Sequence, residues 1–432
     1  MVLRLQTTDG DFAEQFARLL TLKRETSLDV DDTVRAIIAD VRARGDVALL
    51  ELTTKFDGFE ASADTICIGE DQIAAADKDC APDHLAALDF AAERIRTYHE
   101  KQKPEDHSFE DQQGVNLGWR WTPVDAAGLY VPGGRASYPS SVLMNAIPAQ
   151  VAGVERLIMT APAPGGIINP LVLAAARRAG VHEIFCIGGA QSIAALAFGT
   201  ALVPKVDVIV GPGNAYVAAA KRQVFGTVGI DSIAGPSEIL VVSDKDSPAE
   251  WIAADLLSQA EHDPSSQAVL ITDDLAFADK VEASAKQQID ASPRAEITRA
   301  AWQDNSALIV VDTLEDAPDL INKLAPEHLE LAIDRPERLL PAIRHAGAIF
   351  MGRHTPEAIG DYVAGPDHVL PTARAARYAS GLSVLDFMKR TSLIGCTPEA
   401  LRAIGPAAAT LADAEGLPAH KQSITVRLDA KN

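Results

Sequence analysis

Short apolar runs that end in glycine or proline, with helical stretches between them, are the feature that most constrains this fold. The first set of runs is "AAGLYVPGG", "ERLIMTAP", "EIFCIGG" and "VDVIVGPGN". The same texture returns after Gly235 in "EILVVSD", "AVLITDD", "ALIVVDT" and "AGAIFMG". Strands that alternate with helices indicate a parallel sheet with helices on both faces. The sequence therefore predicts two α/β units, each built on its own parallel sheet.

The segments outside these units complete the predicted architecture. Residues 11–100 read mainly as helix, with a strand-like break at 65–68, and a helical stretch at 397–416 precedes a strand-like "SITVRL". We predict an α/β fold with two Rossmann-like parallel-sheet domains, a helical N-terminal segment and a small C-terminal tail domain. The predicted boundaries are 1–127 for a mainly helical N-terminal region that packs partly on the second α/β unit, 128–236 and 237–381 for the two units, and 382–432 for the tail.

The composition excludes several classes of function. The chain has 432 residues and a formal net charge of -21, which repels nucleic-acid backbones and anionic membrane surfaces. Its 4 cysteines form no CxxC pair, which fits a reducing compartment and disfavours a thiolate zinc site. We see neither a secretory signal nor the roughly 18 consecutive apolar residues of a membrane span. We therefore expect a soluble, cytoplasmic, multidomain protein with no nucleic-acid or membrane partner.

Three glycine turns follow predicted strands of the first unit. They are "YVPGG" at 130–134, "GGAQS" at 188–192 and "GPGNAY" at 211–216. Ligands bind beyond the carboxyl ends of parallel strands, and Gln191 and Asn214 offer amide donors there. None of the turns matches the GxGxxG or P-loop patterns, and each alone is explained as a strand cap. Three such turns within one unit favour a nucleotide site.

A set of polar side chains suits a divalent metal ion. "LLSQAEHDP" places Gln259 and His262 three residues apart near the end of a predicted helix, so the two side chains share a face. Asp361 and His420 lie in glycine- and proline-rich loops, where functional groups concentrate. One amide, one carboxylate and two imidazoles are suitable ligands for zinc or a neighbouring divalent ion. A lone histidine on a helix is more often structural, and the sequence leaves open whether the four residues converge.

"LAPEHLEL" carries a candidate acid–base pair, Glu327 and His328. Adjacent side chains point in different directions in either a helix or a strand, and both groups would ordinarily be solvated. Leu329 and Leu331 indicate a partly buried segment, in which a carboxylate and an imidazole need a reason to be present. An acid and a base that act on two sides of one substrate would be such a reason.

Together these motifs resemble the histidinol dehydrogenase family. The matching stretches, which span 128–420, are "GLYVPGGRASYPSSVLMNAIPAQVAGV", "GPGNAYVAAAKRQVFGTVGIDSIAGPSE", "LLSQAEHDP", "APEHLEL", "GDYVAGPDHVLPT" and "EGLPAH". The resemblance implies a zinc-dependent, four-electron oxidation of L-histidinol to L-histidine through L-histidinaldehyde. Two NAD+ would serve as co-substrates, and the reaction would be the final step of histidine biosynthesis.

The resemblance also implies a role for individual residues. The implied ligands of one Zn2+ per subunit are Gln259, His262, Asp361 and His420. The implied catalytic acid–base residues are Glu327 and His328, and the implied NAD site, in the first unit, contains Tyr130, Gln191 and Asn214. The implied substrate contacts are Ser237, Gln259, His262, His328, Asp361, His368, Glu415 and His420. A homodimer with exchanged C-terminal tails would share its active sites between subunits.

Two other functions remain open on the residues alone. A relative on the same scaffold would oxidise a different primary alcohol, although Glu415, His368 and "EGLPAH" favour histidinol. A metal-dependent hydrolase would use Glu327 to activate water, with the glycine turns as strand caps; only a dehydrogenase forms NADH. A covalent route through an activated cysteine is disfavoured because Cys186 lies in the predicted strand "EIFCIGG".

Overall fold

The computed structural model describes residues 2–21, 28–133, 138–233 and 235–429. The strands are β1 (Leu3–Gln6), β2 (Cys67–Ile68), β3 (His107–Glu110), β4 (Val115–Pro123), β5 (Ala126–Tyr130), β6 (Arg156–Ala161), β7 (Glu183–Cys186), β8 (Val208–Val210), β9 (Gly229–Ile230), β10 (Glu238–Ser243), β11 (Gln267–Thr272), β12 (Ala307–Val310), β13 (His328–Ala332), β14 (Ala348–Met351) and β15 (Met388–Cys396). The helices are α1 (Phe12–Thr21), α2 (Leu28–Arg44), α3 (Asp46–Asp57), α4 (Glu70–Ala75), α5 (Pro82–Glu100), α6 (Pro139–Ala152), α7 (Pro170–Arg178), α8 (Gly189–Phe198), α9 (Ala215–Val224), α10 (Ala249–Ala260), α11 (Leu275–Ala291), α12 (Ala295–Asn305), α13 (Ala317–Leu324), α14 (Ala358–Tyr362), α15 (Pro398–Ala414) and α16 (Pro418–Leu428). Within these ranges no helix has the length and apolar character needed to cross a bilayer.

The first α/β unit is built on a six-stranded sheet with the order β2-β7-β6-β5-β8-β9. All neighbours in it are parallel except β2, which runs antiparallel to β7. The strands are apolar throughout because both faces of the sheet are buried. In β6, for example, the adjacent residues Ile158 and Met159 are fully buried in the cores on opposite faces of the sheet. The two faces are covered by helices, with α5, α6 and α7 in contact on one side and α2, α8 and α9 on the other.

The second α/β unit is a six-stranded sheet with the order β1-β12-β11-β10-β13-β14, and every pair in it is parallel. Leu240 and Val241 of β10 enter opposite cores in the same way. Helices α10, α11 and α12 supply apolar side chains to one core, and α1 and α13 supply them to the other. The predicted fold class, α/β with two parallel sheets, is confirmed.

The N-terminal segment divides between the two units. Helix α2 contacts α8 and α9, and α5 contacts α6, so most of the helical segment packs on the first unit. Strand β1, which the sequence analysis did not predict, instead joins the edge of the second sheet beside β12. A three-stranded antiparallel sheet of β15, β4 and β3 was also missed. Its strand β15 comes from the tail and pairs with β4, so the tail is joined to the segment that precedes the first unit.

The end of the chain corrects one expectation. Residues 423–428, "SITVRL", were predicted as a strand, but they belong to the helix α16. Pro418 stands in the first turn of this helix, where its fixed φ favours helical backbone. Gly405 in α15 lets Ile424 and Leu428 approach closely, so α16 packs along α15. Packing between helices therefore outweighs the strand preference of β-branched residues.

The tail leaves much apolar surface open to solvent. No residue of α16 is buried, and Ile394 and Leu411 are 74% and 64% exposed. The chain exposes 21134 Å² in total. A compact monomer of 45.8 kDa is expected to expose about 16,000 Å². The tail is thus an arm on which several large apolar side chains are exposed to solvent.

Candidate active site

A cavity of about 1040 Å³ lies between the two α/β units. Ten of the residues singled out from the sequence line it: Tyr130, Gln191, Asn214, Ser237, Gln259, His262, Glu327, His328, Asp361 and His368. These residues are spread over more than half of the chain. The fold therefore brings the glycine turns, three of the four candidate metal ligands and the candidate acid–base pair to a single place.

The two sheets present opposite ends of their strands to this cavity. In the first unit the lining residues follow strands: Tyr130 ends β5, Gly189 follows β7 and Asn214 follows β8. In the second unit they precede strands: Ser237 comes just before β10, and Glu327 comes just before β13. The first unit thus uses the carboxyl ends of its strands, as open parallel sheets usually do, whereas the second unit uses their amino ends.

The glycine turns of the first unit are tightly packed against one another. Gly211 has φ 111°, and a Cβ there would lie far inside van der Waals contact with the main-chain oxygen of Tyr130. The Tyr130 hydroxyl accepts a hydrogen bond from the Gly189 amide at 3.3 Å, and burial raises the pKa of this phenol to about 12. Gly134, the last residue of the 130–134 turn, lies outside the described residues.

The two amide side chains of the first unit differ in their contacts. Asn214 caps α9, because its Oδ1 accepts hydrogen bonds from the amides of Tyr216 at 3.0 Å and Val217 at 3.2 Å. Gln191 is almost completely buried, and among the described residues its Nε2 has no hydrogen-bond partner. A buried donor without a partner beside a cavity is suited to binding a ligand.

His328 is held in one tautomer. Its Nδ1 lies 3.0 Å from the main-chain oxygen of Glu238, which can only accept, so Nδ1 carries the proton. Its Nε2 lies 3.5 Å from Glu357 Oε1 and has no hydrogen-bond partner within the described part of the chain. Burial lowers the pKa of His328. The ring is therefore neutral at neutral pH and offers an unshared lone pair, as a general base requires.

Glu327 is fixed beside His328 by the main chain of two neighbouring strands. Its Oε2 accepts a hydrogen bond from the Glu238 amide at 2.9 Å and lies 3.7 Å from His328 Nδ1. Its own carbonyl accepts from the Ala348 amide at 3.0 Å, and Gly347 has no Cβ that would block this approach. Burial, together with the nearby carboxylates, raises the pKa of Glu327 well above its usual value. The carboxylate is thus a stronger base than that of an exposed glutamate, as proton transfer to it requires.

Asp361 and Gln259 each place a buried oxygen where a metal ion could bind it. Burial and the charge of Glu357 raise the pKa of Asp361 to about 8. Gln259 is 1% exposed, and its Oε1 has no hydrogen-bond partner among the described residues. A divalent cation would stabilise the ionised Asp361 and would satisfy the amide oxygen. His262, which lines the same cavity, would add an imidazole. These three donors fit a zinc ion.

Glu357 is a buried acid that the sequence analysis missed. It is 1% exposed, its Oε2 accepts a hydrogen bond from Ser258 at 3.1 Å, and its Oε1 faces His328. His328, Glu357 and Asp361 each place one ligand atom within 4.8 Å of the others, so these three also form a compact donor set. Glu357 occupies the position just before the first residue of α14, four residues before Asp361. That spacing, which puts two acids on one helix face, is the signal in the sequence that would have found it.

His368 is held at the floor of the cavity by the second unit. Its Nδ1 donates to the Asp361 carbonyl at 3.0 Å, and its Nε2 lies 3.4 Å from the Ser141 hydroxyl. Burial lowers the pKa of His368 to about 4, so this ring stays neutral. It offers a hydrogen-bonding group of defined orientation rather than a charge.

Two of the predicted site residues lie elsewhere. Glu415 and His420 are exposed, in the turn after α15 and in α16, and no described residue beyond 368 lines the cavity. Within one chain the structure does not bring them to the other ten. Cys186 is also outside the set of described lining residues; it is fully buried, and burial raises the pKa of its thiol to about 12. A thiol of this kind is a poor nucleophile.

Comparison with known proteins gives a consistent result over nearly the whole chain. A family model described as histidinol dehydrogenase matches residues 21–428. The histidinol dehydrogenase of Rhodospirillum rubrum is 60% identical over 430 residues, which are 99% of this chain and 99% of that protein. That of Rhizobium meliloti is 59% identical over 429 residues, again 99% of each chain. The crystal structure of histidinol dehydrogenase from Elizabethkingia anophelis has a TM-score of 0.94 at 36% identity and covers 99% of this chain and 98% of that one.

Proposed function

The chain belongs to the histidinol dehydrogenase family, and we propose that it catalyses the NAD+-dependent, four-electron oxidation of L-histidinol to L-histidine through L-histidinaldehyde. The proposal rests on one observation. The glycine turns of the first unit and the buried pair Glu327 and His328 line the same cavity. The turns offer backbone and amide groups for a dinucleotide, and the pair offers proton transfer to a substrate beside it.

His328 is the proposed base for the alcohol step. Its Nδ1–H bond to the Glu238 carbonyl leaves Nε2 free to accept the proton of the substrate hydroxyl. As that O–H bond breaks, the hydride on the carbinol carbon leaves for the nicotinamide, which gives the aldehyde and the first NADH. Glu357, whose Oε1 lies 3.5 Å from Nε2, would stabilise the imidazolium that forms.

Glu327 is the proposed base for the second half of the reaction. Its carboxylate would take a proton from water as the water oxygen attacks the aldehyde carbon, which gives the anion of the hydrate. This anion then loses a hydride to a second NAD+ and becomes the carboxylic acid. The Glu238 amide that donates to Glu327 keeps the carboxylate oriented through both steps. Histidinaldehyde would stay bound between the steps and be protected from release.

Zinc is the proposed metal, held by Gln259, His262 and Asp361 of one chain and by His420 of a second copy. When bound, it would hold the imidazole and amine of the substrate and so orient the alcohol toward the base. His368 and Ser237 would contact the substrate from the same cavity, and Glu415 would reach it from the second copy. Tyr130, Gln191 and Asn214 would hold NAD+ at the opposite edge.

The proposed active form is a homodimer in which the tails are exchanged. The support is the large exposed surface of the chain and the uncovered apolar face of α15 and α16. Docking this arm on a second copy would bury the exposed apolar side chains and would bring Glu415 and His420 to the other chain's cavity. A soluble biosynthetic enzyme of this kind would work in the cytoplasm.

The yield of NADH on limiting substrate tests the overall reaction. We expect about two NADH per L-histidinol, because the aldehyde is retained and oxidised again. Absorbance at the NADH band, with histidine measured in parallel, gives the ratio. A ratio near one with free aldehyde in solution would contradict the proposal, and no NADH at all would favour a hydrolase.

Glu327→Gln and His328→Asn separate the two proposed bases. Glu327→Gln should lower the oxidation rate of added histidinaldehyde by about a hundredfold or more, the usual worth of a general base, and should slow the alcohol step less. His328→Asn should impair the alcohol step as well. Single-turnover rates with each substrate give both values.

The matched control for these variants is Glu261→Gln. Glu261 lines the same cavity, but its side chain is exposed at the rim and has no proposed role. Its loss should change both rates by less than about twofold. Equal losses in the two steps for Glu327→Gln would show that the division of labour between the bases is wrong.

Mixed dimers test whether the site is shared. Asp361→Ala and His420→Ala should each be inactive alone, because each removes a proposed metal ligand. When the two are co-expressed, half of the dimers are mixed, and each mixed dimer has one intact site and one doubly damaged site. We therefore expect roughly a quarter of wild-type activity. If mixed dimers form but stay as inactive as their parents, His420 acts within its own chain.

A further inference from the structure

We propose that Lys221 and Asp231 are positioning residues for NAD+ binding, because together they fix the Gly211 turn at the edge of the dinucleotide site. This inference rests on the proposed NAD+-dependent function. Neither residue lines the cavity among the described residues, so both act through the turn.

The three residues form a closed ring of hydrogen bonds. The Gly211 amide donates to Asp231 Oδ2 at 2.8 Å. The Lys221 ammonium donates to the Gly211 carbonyl at 3.0 Å and also to Asp231 Oδ1. Both polar main-chain groups of a single glycine are therefore satisfied by side chains that are ion-paired with each other. Lys221 comes from α9 and Asp231 from just beyond β9, so the turn is held from two directions.

Gly211 is a position whose conformation needs such support. Its φ of 111° is accessible to glycine, which is also the residue with the most backbone freedom to lose. It abuts the main chain of Tyr130 on one side and leads through Pro212 and Gly213 to Asn214 on the other. A change in the backbone at Gly211 would therefore displace both Tyr130 and Asn214. These are two of the three proposed NAD+ contacts.

The burial of the pair argues for a positional role. The Lys221 and Asp231 side chains are 2% and 3% exposed. Removing two charges from water is so costly that a well-packed apolar pair of similar volume is often at least as stable. A buried ion pair is thus weak support for a purely stabilising role. What an apolar pair lacks is the ability to hold a main-chain N–H and C=O at fixed positions.

Three variants test the ring. Lys221→Met removes the ammonium but keeps a long side chain. Asp231→Asn keeps an oxygen that can accept from the Gly211 amide. The double variant, Lys221→Met with Asp231→Asn, has no unpaired buried charge and serves if a single variant fails to fold. We expect the KM for NAD+ to rise about tenfold or more in Lys221→Met and in the double variant. The rise should be smaller in Asp231→Asn. The KM for L-histidinol and the zinc content should change by less than about twofold.

A matched control pair lies in the second unit. Arg353 is ion-paired with Asp244 at 2.7 Å and donates to the Ala332 carbonyl at 3.1 Å, so it also clamps main chain at the end of a strand. Arg353→Met removes a comparable clamp remote from the proposed NAD+ site. It should lower the melting temperature without shifting the KM for NAD+.

The KM values separate positioning from general stability. Parallel rises in both KM values, or an unchanged KM for NAD+ in the three ring variants, would overturn the proposal. So would a rise in the KM for NAD+ in Arg353→Met equal to that in Lys221→Met. Calorimetric titration of NAD+ into each folded variant, without histidinol, should repeat the order of the KM values. If the wild-type protein itself neither binds nor reduces NAD+, the proposed function fails rather than this inference.

Discussion

Parallel strands determine where the candidate active site of this protein lies, because each connection must carry the chain back to the end of the sheet at which the strand began. The turns that follow the parallel strands of the first sheet, β5 to β9, therefore meet at one end of the sheet, and the loops that precede the strands of the second sheet meet at one end of that sheet. The cavity lies between these two ends. Asn214 and Glu327, which are far apart in sequence, line the same cavity for this reason.

The concentration of buried acids is the electrostatic consequence of this arrangement. Glu327, Glu357 and Asp361 surround His328, and burial raises the pKa of Glu327 and of Asp361. Such a group of carboxyl groups is costly unless a cation or a protonated partner balances it. The proposed zinc ion would provide that balance. The same loss of solvation keeps the His328 ring neutral, so the proposed base and the proposed metal site depend on one environment.

The sequence predicted those parts of the fold that depend on local pattern. Apolar runs such as "EIFCIGG" gave the sheet strands, and the ten residues chosen by motif, resemblance and spacing line one cavity. Pairings between distant segments were not predicted. Strand β15 joins β4 across most of the chain, and β1 joins β12, because such pairing depends on tertiary contacts that a short pattern does not encode. The "SITVRL" strand was wrong for the same reason, since contacts with α15 decided its structure.

The site itself shows the same division. Glu327 and His328 stood out because a partly apolar segment rarely carries two such groups. Glu357 was missed because only its i,i+4 spacing from Asp361 connects it with the site in the sequence. The positions of Glu415 and His420 relative to the cavity cannot be explained from a single chain, because neither residue lines the cavity of its own chain. Their roles are implied by family resemblance, and their exposure on an extended arm fits a site completed by a second copy.

Anomalous diffraction from a crystal of the zinc-loaded protein, recorded at the zinc absorption edge, would test the central claim most directly. The claim is that the two sheets and a partner's tail assemble one metal site and leave His328 free as a base. We expect one peak per chain, bounded by Gln259, His262 and Asp361 of one subunit and by His420 of another. A peak between His328, Glu357 and Asp361 would contradict the account, because Nε2 of His328 would then have no lone pair for the substrate proton.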